Sequence, residues 1–275
     1  MSQQALAPSI RAALLAHYER AADLIAANFP LAPIRLVYYP HGLDGDATYH
    51  GPIHPDEHVP DTIPTVEAHA TSGPERFYAV DANALLYHVH RGAVDFCSWT
   101  PANGNPDRIG FARIILVPRG GATQEQITLA MFAVRDILGR HGVKAIPVLD
   151  GGQGAALFIP FSDAPDYVSV RTWLHTIANE AVASNVALLT ADRRDQQTQC
   201  VHVNVSSNAI GLGSSLPYAI VGSPMLGMVT PVEWTELGVV ANGRYAAANS
   251  EQRLNKGDVL RRLVNEIGCQ TFAQT

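Results

Sequence analysis

Short apolar runs with the spacing of strands alternate with amphipathic helical repeats along the chain, and this alternation limits the possible folds. The alternation is irregular, which favours an α/β or α+β fold with mixed sheets. The patterns predict helices at residues 9–29, 83–90, 124–140, 167–184 and 251–267. They predict strands at residues 34–39, 113–118, 143–148, 156–160, 199–205 and 216–221, with a long irregular excursion over residues 40–75.

Charge is the bulk property that bears most on function. The chain of 275 residues carries a formal net charge of −6, and its lysines are Lys144 and Lys256. A duplex-binding surface neutralises several phosphates with lysine and arginine. The composition therefore predicts weak or no binding to duplex DNA.

Cysteine usage and hydropathy bear on the compartment. The three cysteines, Cys97, Cys200 and Cys269, are odd in number and widely spaced, which fits a reducing cytoplasm better than a disulfide framework. No run of 18 apolar residues occurs, and residues 1–30 lack the pattern of a signal peptide. The expectation is a cytoplasmic protein without a membrane span.

A glycine-rich segment, Asp150-Gly151-Gly152-Gln153-Gly154, lies between two predicted strands. Backbone amides freed by glycine can bind a phosphate, but glycines also serve tight turns. The lysine and hydroxyl residue of a P-loop are missing. A structural turn and an anion site both remain open, and the turn is the commoner use of such glycines.

Histidines also suggest sites. His50, His54 and His58 are four residues apart, which on a helix would suit zinc, but Pro52 and Pro55 favour a solvated loop. His88 and His90 have no further ligands nearby and fit ordinary positions on a partly buried element.

The predicted strand at residues 199–205 carries polar groups at alternate positions. His202, Asn204 and Ser206 share one face, which could line a polar cleft or face solvent. No Ser-His-Asp arrangement, zinc-protease motif or Cys-x-x-Cys pair is present. Spacing alone thus predicts only a globular domain.

Several segments in one order resemble the primase-type polymerase domain of bacterial DNA ligase D, which acts in end joining. They are Tyr39–Gly45, Asn105–Arg108, Gly142–Val148, Leu216–Tyr218 and Pro231–Leu237. The resemblance covers about residues 12–265. It implies one domain over residues 1–275, with mixed sheets flanked by helices. An N-terminal module would span about residues 1–110 and a palm-like module about residues 111–275.

The departures from this family fall on its catalytic residues. Ile115, Val117 and Asn204 stand where the resemblance places three metal-binding carboxylates. The family's nucleotide-binding lysine, histidine and arginine correspond to Gln153, Ala156 and Val221, and its Glu-Leu-His segment corresponds to Asp95-Phe96-Cys97. Two-metal phosphoryl transfer needs carboxylate oxygens, which isoleucine and valine cannot supply.

The resemblance therefore implies a catalytically degenerate relative, a pseudoenzyme without nucleotidyl transfer, bound metal or cofactor. Its cleft would bind a nucleotide, a nucleic-acid end or a protein partner. One alternative is an enzyme repurposed for small-molecule chemistry, and another is a structural partner protein. Candidate catalytic residues are His202, Asn204, Asp150, Asp95 and Cys97. Candidate ligand-binding residues are Gly151, Gly152, Gln153, Gly154, His202 and Asn204. We further expect Ile115 and Val117 to lie on a central strand beside the strand of His202 and Asn204.

Overall fold

A computed structural model describes residues 6–70, 73–193, 199–240 and 244–272. The helices within these ranges are α1 (Pro8–Asn28), α2 (Ala82–His90), α3 (Gln124–Arg140), α4 (Tyr167–Ser184), α5 (Glu251–Leu254) and α6 (Val259–Ile267), with a 3-10 turn at Trp234–Glu236. The strands are β1 (Pro33–Tyr38), β2 (Thr48–His50), β3 (Thr65–Ala70), β4 (Gly73–Ala79), β5 (Asp95–Ser98), β6 (Pro101–Ala102), β7 (Asn105–Ile109), β8 (Phe111–Arg119), β9 (Ile146–Leu149), β10 (Ala155–Pro160), β11 (Leu189–Thr190), β12 (Cys200–Asn204), β13 (Ser214–Ser215) and β14 (Thr230–Pro231).

The first sheet has the strand order β13-β5-β1-β4-β3, and β2 also pairs with β1. Helix α1 packs against this part of the molecule because Leu14, Tyr18 and Ile25 recur on one side of it and are buried. The Tyr18 hydroxyl donates to the Val94 carbonyl at 2.9 Å and accepts from the Ile220 amide at 3.0 Å. The first core thus includes a segment from late in the chain.

The second sheet has the order β11-β12-β8-β10-β9-β14, with β8 in its interior. One face packs under α3 and α4 through alternate residues such as Leu116, Leu157 and Val201. We call the opposite face the inner face. On β8 and β12 it carries Arg113, Ile115, Val117, Arg119, His202 and Asn204.

Most predicted elements are confirmed, as is the mixed α/β class. Helix α3 begins after a capping box, in which the side chains of Thr123 and Gln126 bond each other's backbone amides. Among the described residues, no helix is long and apolar enough to cross a membrane.

Three predictions of local structure are wrong. The excursion at residues 40–75 contains β2, β3 and the start of β4, which pair in register although their composition is weakly apolar. Residues 216–221 form a turn and not a strand, because Tyr218 has a φ of +71° directly after Pro217. The helix expected at residues 251–267 is broken at Gly257, which has a φ of +76°.

A buried histidine joins helix α1 to two segments from late in the chain. His17 Nε2 lies 2.8 Å from the Tyr218 carbonyl oxygen, and His17 Nδ1 lies 2.7 Å from the Ser250 hydroxyl. A carbonyl only accepts, so Nε2 carries the proton and Nδ1 accepts from Ser250. Burial lowers the pKa of His17 to about 4, which keeps the ring neutral.

Candidate functional site

Strands β8 and β12 lie side by side in the second sheet and run antiparallel. Asn204 stands opposite Ile115, and His202 stands opposite Val117. Both pairs belong to the inner face, because the intervening Leu116 packs into the core under α3 and α4. The expected neighbourhood of these four residues is therefore confirmed.

The side chains at these positions do not fit a divalent metal. Magnesium takes oxygen ligands, mainly carboxylates, whereas Ile115 and Val117 present only hydrocarbon. The Asn204 amide oxygen already accepts from the Ser206 amide at 2.9 Å and from the Ser206 hydroxyl at 2.6 Å. Across the part of the chain that the structure describes, no three His, Cys, Asp or Glu side chains are grouped as metal ligands. Ile115, Val117 and Asn204 therefore offer no carboxylate oxygen to the metal ions that the family resemblance implies.

His202 is buried on the inner face, with 6% of its surface exposed. Burial lowers its pKa, and the charges of Arg119 and Arg193 lower it further, against a smaller opposing effect of Asp192. Its Nδ1 is buried without a hydrogen-bond partner. The polar half of the inner face thus holds a buried imidazole whose neutral form is favoured by burial and by two nearby cations.

The glycine-rich turn is organised around its own aspartate. Asp150 Oδ1 accepts from the Gly152 amide at 2.8 Å, and both carboxylate oxygens lie 3.1 Å from the Gly154 amide. Two amides that a bound anion would use therefore donate to Asp150. Gln153 is exposed at the tip.

Packing also accounts for a glycine of this turn. A Cβ on Gly154 would lie 2.5 Å from the Leu116 carbonyl oxygen and 2.6 Å from Asp150 Oδ2. The close approach places the turn against β8, on the side away from β12. These contacts favour the structural interpretation of the glycines.

A second polar group lies on the first sheet and consists of Asp95, Cys97 and Ser215, here called the Asp95 cluster. Asp95 Oδ2 accepts from the Ser215 hydroxyl at 2.5 Å, and the Cys97 sulfur lies 3.9 Å from both Asp95 Oδ2 and the Ser215 oxygen. Cross-strand pairing explains the arrangement, because Cys97 is registered with Ser215 on one side and with Arg35 on the other.

Burial changes the ionisation of the Asp95 cluster. Desolvation raises the pKa of Asp95 to about 7, although Ser215 and the Phe96 amide oppose the shift. Burial, with the nearby Asp95 charge, raises the pKa of the Cys97 thiol well above its usual range. Asp95 Oδ1 is buried without a hydrogen-bond partner. The cluster therefore offers a carboxyl group that titrates near neutrality, beside an unreactive thiol.

The sequence interpretation missed a fully buried arginine, Arg113, that joins the two sheets. Its Nη1 donates to the Ser98 carbonyl at 2.8 Å and to the Ser214 hydroxyl at 2.7 Å, and its Nη2 donates to the Ser207 carbonyl at 3.1 Å. Burial lowers the pKa of Arg113 to about 10. The period-two pattern Arg113, Ile115, Val117, Arg119 was the signal available in the sequence.

The remaining candidates are dispersed. His50, His54 and His58 are all exposed, and the His50 ring packs edge-on against Tyr38 with centroids 4.9 Å apart. His88 is buried between Tyr78 and Tyr87, with ring centroids 4.3 and 5.0 Å away.

The resemblance also singles out Ala156 and Val221, and the sequence analysis singles out His90. Ala156 is registered beside Ile115 on the inner face. Val221 packs against the first core. His90 is exposed at the end of α2.

Comparison with known proteins identifies a family and a solved structure that this chain resembles. A model of the family described as LigD, primase-polymerase domain, matches residues 11–260. A structure described as the polymerase domain from Mycobacterium tuberculosis ligase D in complex with DNA superposes with a TM-score of 0.82 at 19% identity, covering 97% of each chain. At this identity the superposition establishes the fold, and it confirms the expected primase-polymerase architecture.

More distant similarities add little. The crystal structure of the primase RepB′ covers 90% of this chain and 68% of its own, at 11% identity and a TM-score of 0.40, which supports no conclusion. A comparison with curated proteins gave no significant match.

Proposed function

Because the chain belongs to the LigD primase-polymerase domain family, we propose that it keeps the family's fold without metal-dependent nucleotidyl transfer and uses the inner face for binding. One observation carries this proposal: Ile115, Val117 and Asn204 occupy neighbouring inner-face positions where the resemblance places carboxylates. Transfer through two metal ions needs those oxygen ligands to neutralise the triphosphate. Binding without transfer needs none of them.

The bound partner under this proposal is a nucleotide, a nucleic-acid end or a protein of the same pathway. The net charge of −6 supports weak binding to duplex DNA, since the attraction to phosphates comes from clustered cations. Fluorescence anisotropy with a short duplex at physiological salt measures this affinity. A submicromolar dissociation constant would favour the nucleic-acid end as the partner.

Primer extension tests the absence of transfer. Purified protein should add no nucleotide to a templated or blunt primer with Mg²⁺ or Mn²⁺. An Asn204→Ala variant, prepared in the same way, is the matched control for contaminating polymerase. Metal-dependent extension that the wild type shows and the variant lacks would contradict the proposal.

The Asp95 cluster supports a second candidate function, an enzyme repurposed for small-molecule chemistry. A carboxyl group with a pKa of about 7 can take or give a proton near neutrality, and its Oδ1 has no partner. Native mass spectrometry of protein purified from its host would detect a retained small molecule. Turnover of that molecule by the wild type, abolished in Asp95→Asn, would favour this candidate over binding alone.

A further inference from the structure

We propose that the inner face around His202 binds an oxyanion, a phosphate or carboxylate group of its ligand, directly through Arg119, Arg193 and His202 without a divalent metal. This inference rests on the proposed function and names the ligand chemistry of the same face. The family resemblance implies a negatively charged site that holds cations, whereas these residues make a positively charged one.

Strand register brings the groups together. Arg119 is registered with Cys200, and Val117 with His202, so Arg119 and His202 are diagonal neighbours on the inner face. Arg193 follows β11, where Thr190 is registered with His202 in a parallel pair. Register thus places Arg119 beside His202, and the effect of the Arg193 charge on the His202 pKa indicates that Arg193 also lies near this end of the face.

Positive charge is in excess at this end, because the described charges that act on His202 are two arginines and one aspartate. Neither Arg119 nor Arg193 forms an ion pair with any acidic residue among those that the structure describes. Their combined charge is strong enough to lower the pKa of the buried His202, after the larger effect of desolvation. Asp192 acts in the opposite direction and is the smallest of the four influences.

Unmet hydrogen-bonding groups point to a ligand. Arg119 Nε and His202 Nδ1 are buried and have no partner, and His202 as a whole is 6% exposed. A buried polar group without a partner is destabilising, and a bound acceptor at Arg119 would remove that cost. A guanidinium presents its N–H groups in a fork that matches phosphate and carboxylate oxygens.

The surroundings favour a small anionic group over a long polyanion. Val117 forms an apolar floor beside the cations, and the chain as a whole carries a net charge of −6. A nucleic-acid backbone would need an extended basic surface, whereas a single oxyanion needs only this local one.

Titration calorimetry in EDTA at constant ionic strength tests the site with two probes, inorganic pyrophosphate and succinate. We expect one of them to bind with one-to-one stoichiometry, and the one that binds identifies phosphate or carboxylate as the ligand group. Arg119→Gln and Arg193→Gln should each weaken binding about tenfold, as expected for one lost charge-assisted hydrogen bond. Arg140→Gln, an exposed arginine on α3 paired with Glu180, should bind like the wild type.

Failure to bind either probe would overturn the inference, as would unchanged affinity in both Arg119→Gln and Arg193→Gln or a requirement for added metal. Arg193 is exposed, so its variant should fold even where loss of Arg119 destabilises the protein. The two proposals fail separately. Absence of anion binding removes only this inference, whereas metal-dependent primer extension removes the proposed function itself.

Discussion

The ring of Tyr39 fills the space in front of Gly222. The Tyr39 hydroxyl donates to the Gly222 carbonyl oxygen at 2.6 Å, and a Cβ on Gly222 would overlap the tyrosine ring. This contact fixes the segment after β1 against the segment around Gly222, which lies 183 residues later in the sequence than Tyr39. A glycine is needed at this position because of a side chain, not because of backbone conformation.

Gly222→Ala should therefore destabilise the protein by about 1–3 kcal/mol, since the ring must move and its hydrogen bond is lost. Urea unfolding measures the change. Gly139→Ala is the matched control, because a Cβ at this position in α3 meets nothing within 4 Å. Alanine favours a helix, so this control should gain about 0.5–1 kcal/mol. Equal effects of the two substitutions would contradict the prediction.

Asp95 should make the stability depend on pH. Its folded pKa of about 7 lies above the ordinary value of 3.8, mainly because of burial. The contribution of this carboxyl group is fully present below pH 3.8 and is lost as pH rises through about 7, because the unfolded chain ionises first.

Asp95→Asn cannot ionise, so its unfolding free energy relative to the wild type should rise between about pH 4 and pH 8, by up to about 4 kcal/mol. Measurements at the acidic end, where both side chains are neutral, isolate the effect of the altered hydrogen bonds. A difference that stays flat across this range would show that Asp95 ionises normally.

A buried arginine near the C-terminus depends on one carboxylate. Arg253 is 1% exposed and donates to both Glu236 oxygens, at 2.7 and 2.9 Å. Glu236→Ala leaves this cation buried without its counterion and should cost about 3–5 kcal/mol. Glu266→Ala, which removes an exposed partner of Arg262, should cost less than about 1 kcal/mol. Thermal and urea unfolding compare the two, and similar losses would argue against a special role for Glu236.

Local patterns predict the helices best, because periodicity and capping are encoded within a few residues. Helices α3 and α4 begin and end where the sequence predicts. The pairing of β3 with β4 was missed because alternation in Thr65–Ala70 relies on small residues with little apolar contrast. The turn at Tyr218 was missed because a positive φ in a tyrosine depends on its tertiary contacts.

The candidate site, like the fold, could be predicted only in part from the sequence. The neighbourhood of Ile115 and Asn204 followed from the order of segments shared with a known family, not from periodicity. The ionisation of Asp95 could not be predicted, since its hydrogen-bond partner Ser215 lies 120 residues away. The bridging role of Arg113 likewise depends on where Ser214 lies in space.

The bond between His17 and Ser250 has a consequence for synthesis on the ribosome. Helix α1 is translated well before its partner, because the hydroxyl that its histidine bonds is added 233 residues later. Strand β13 and the Ile220 amide, which complete the same sheet and core, are also late products. A nascent chain stopped near residue 110 could pack α2 and Phe96 against α1 but would lack Tyr218, Ile220 and Leu260, so completion of the first core awaits these late residues.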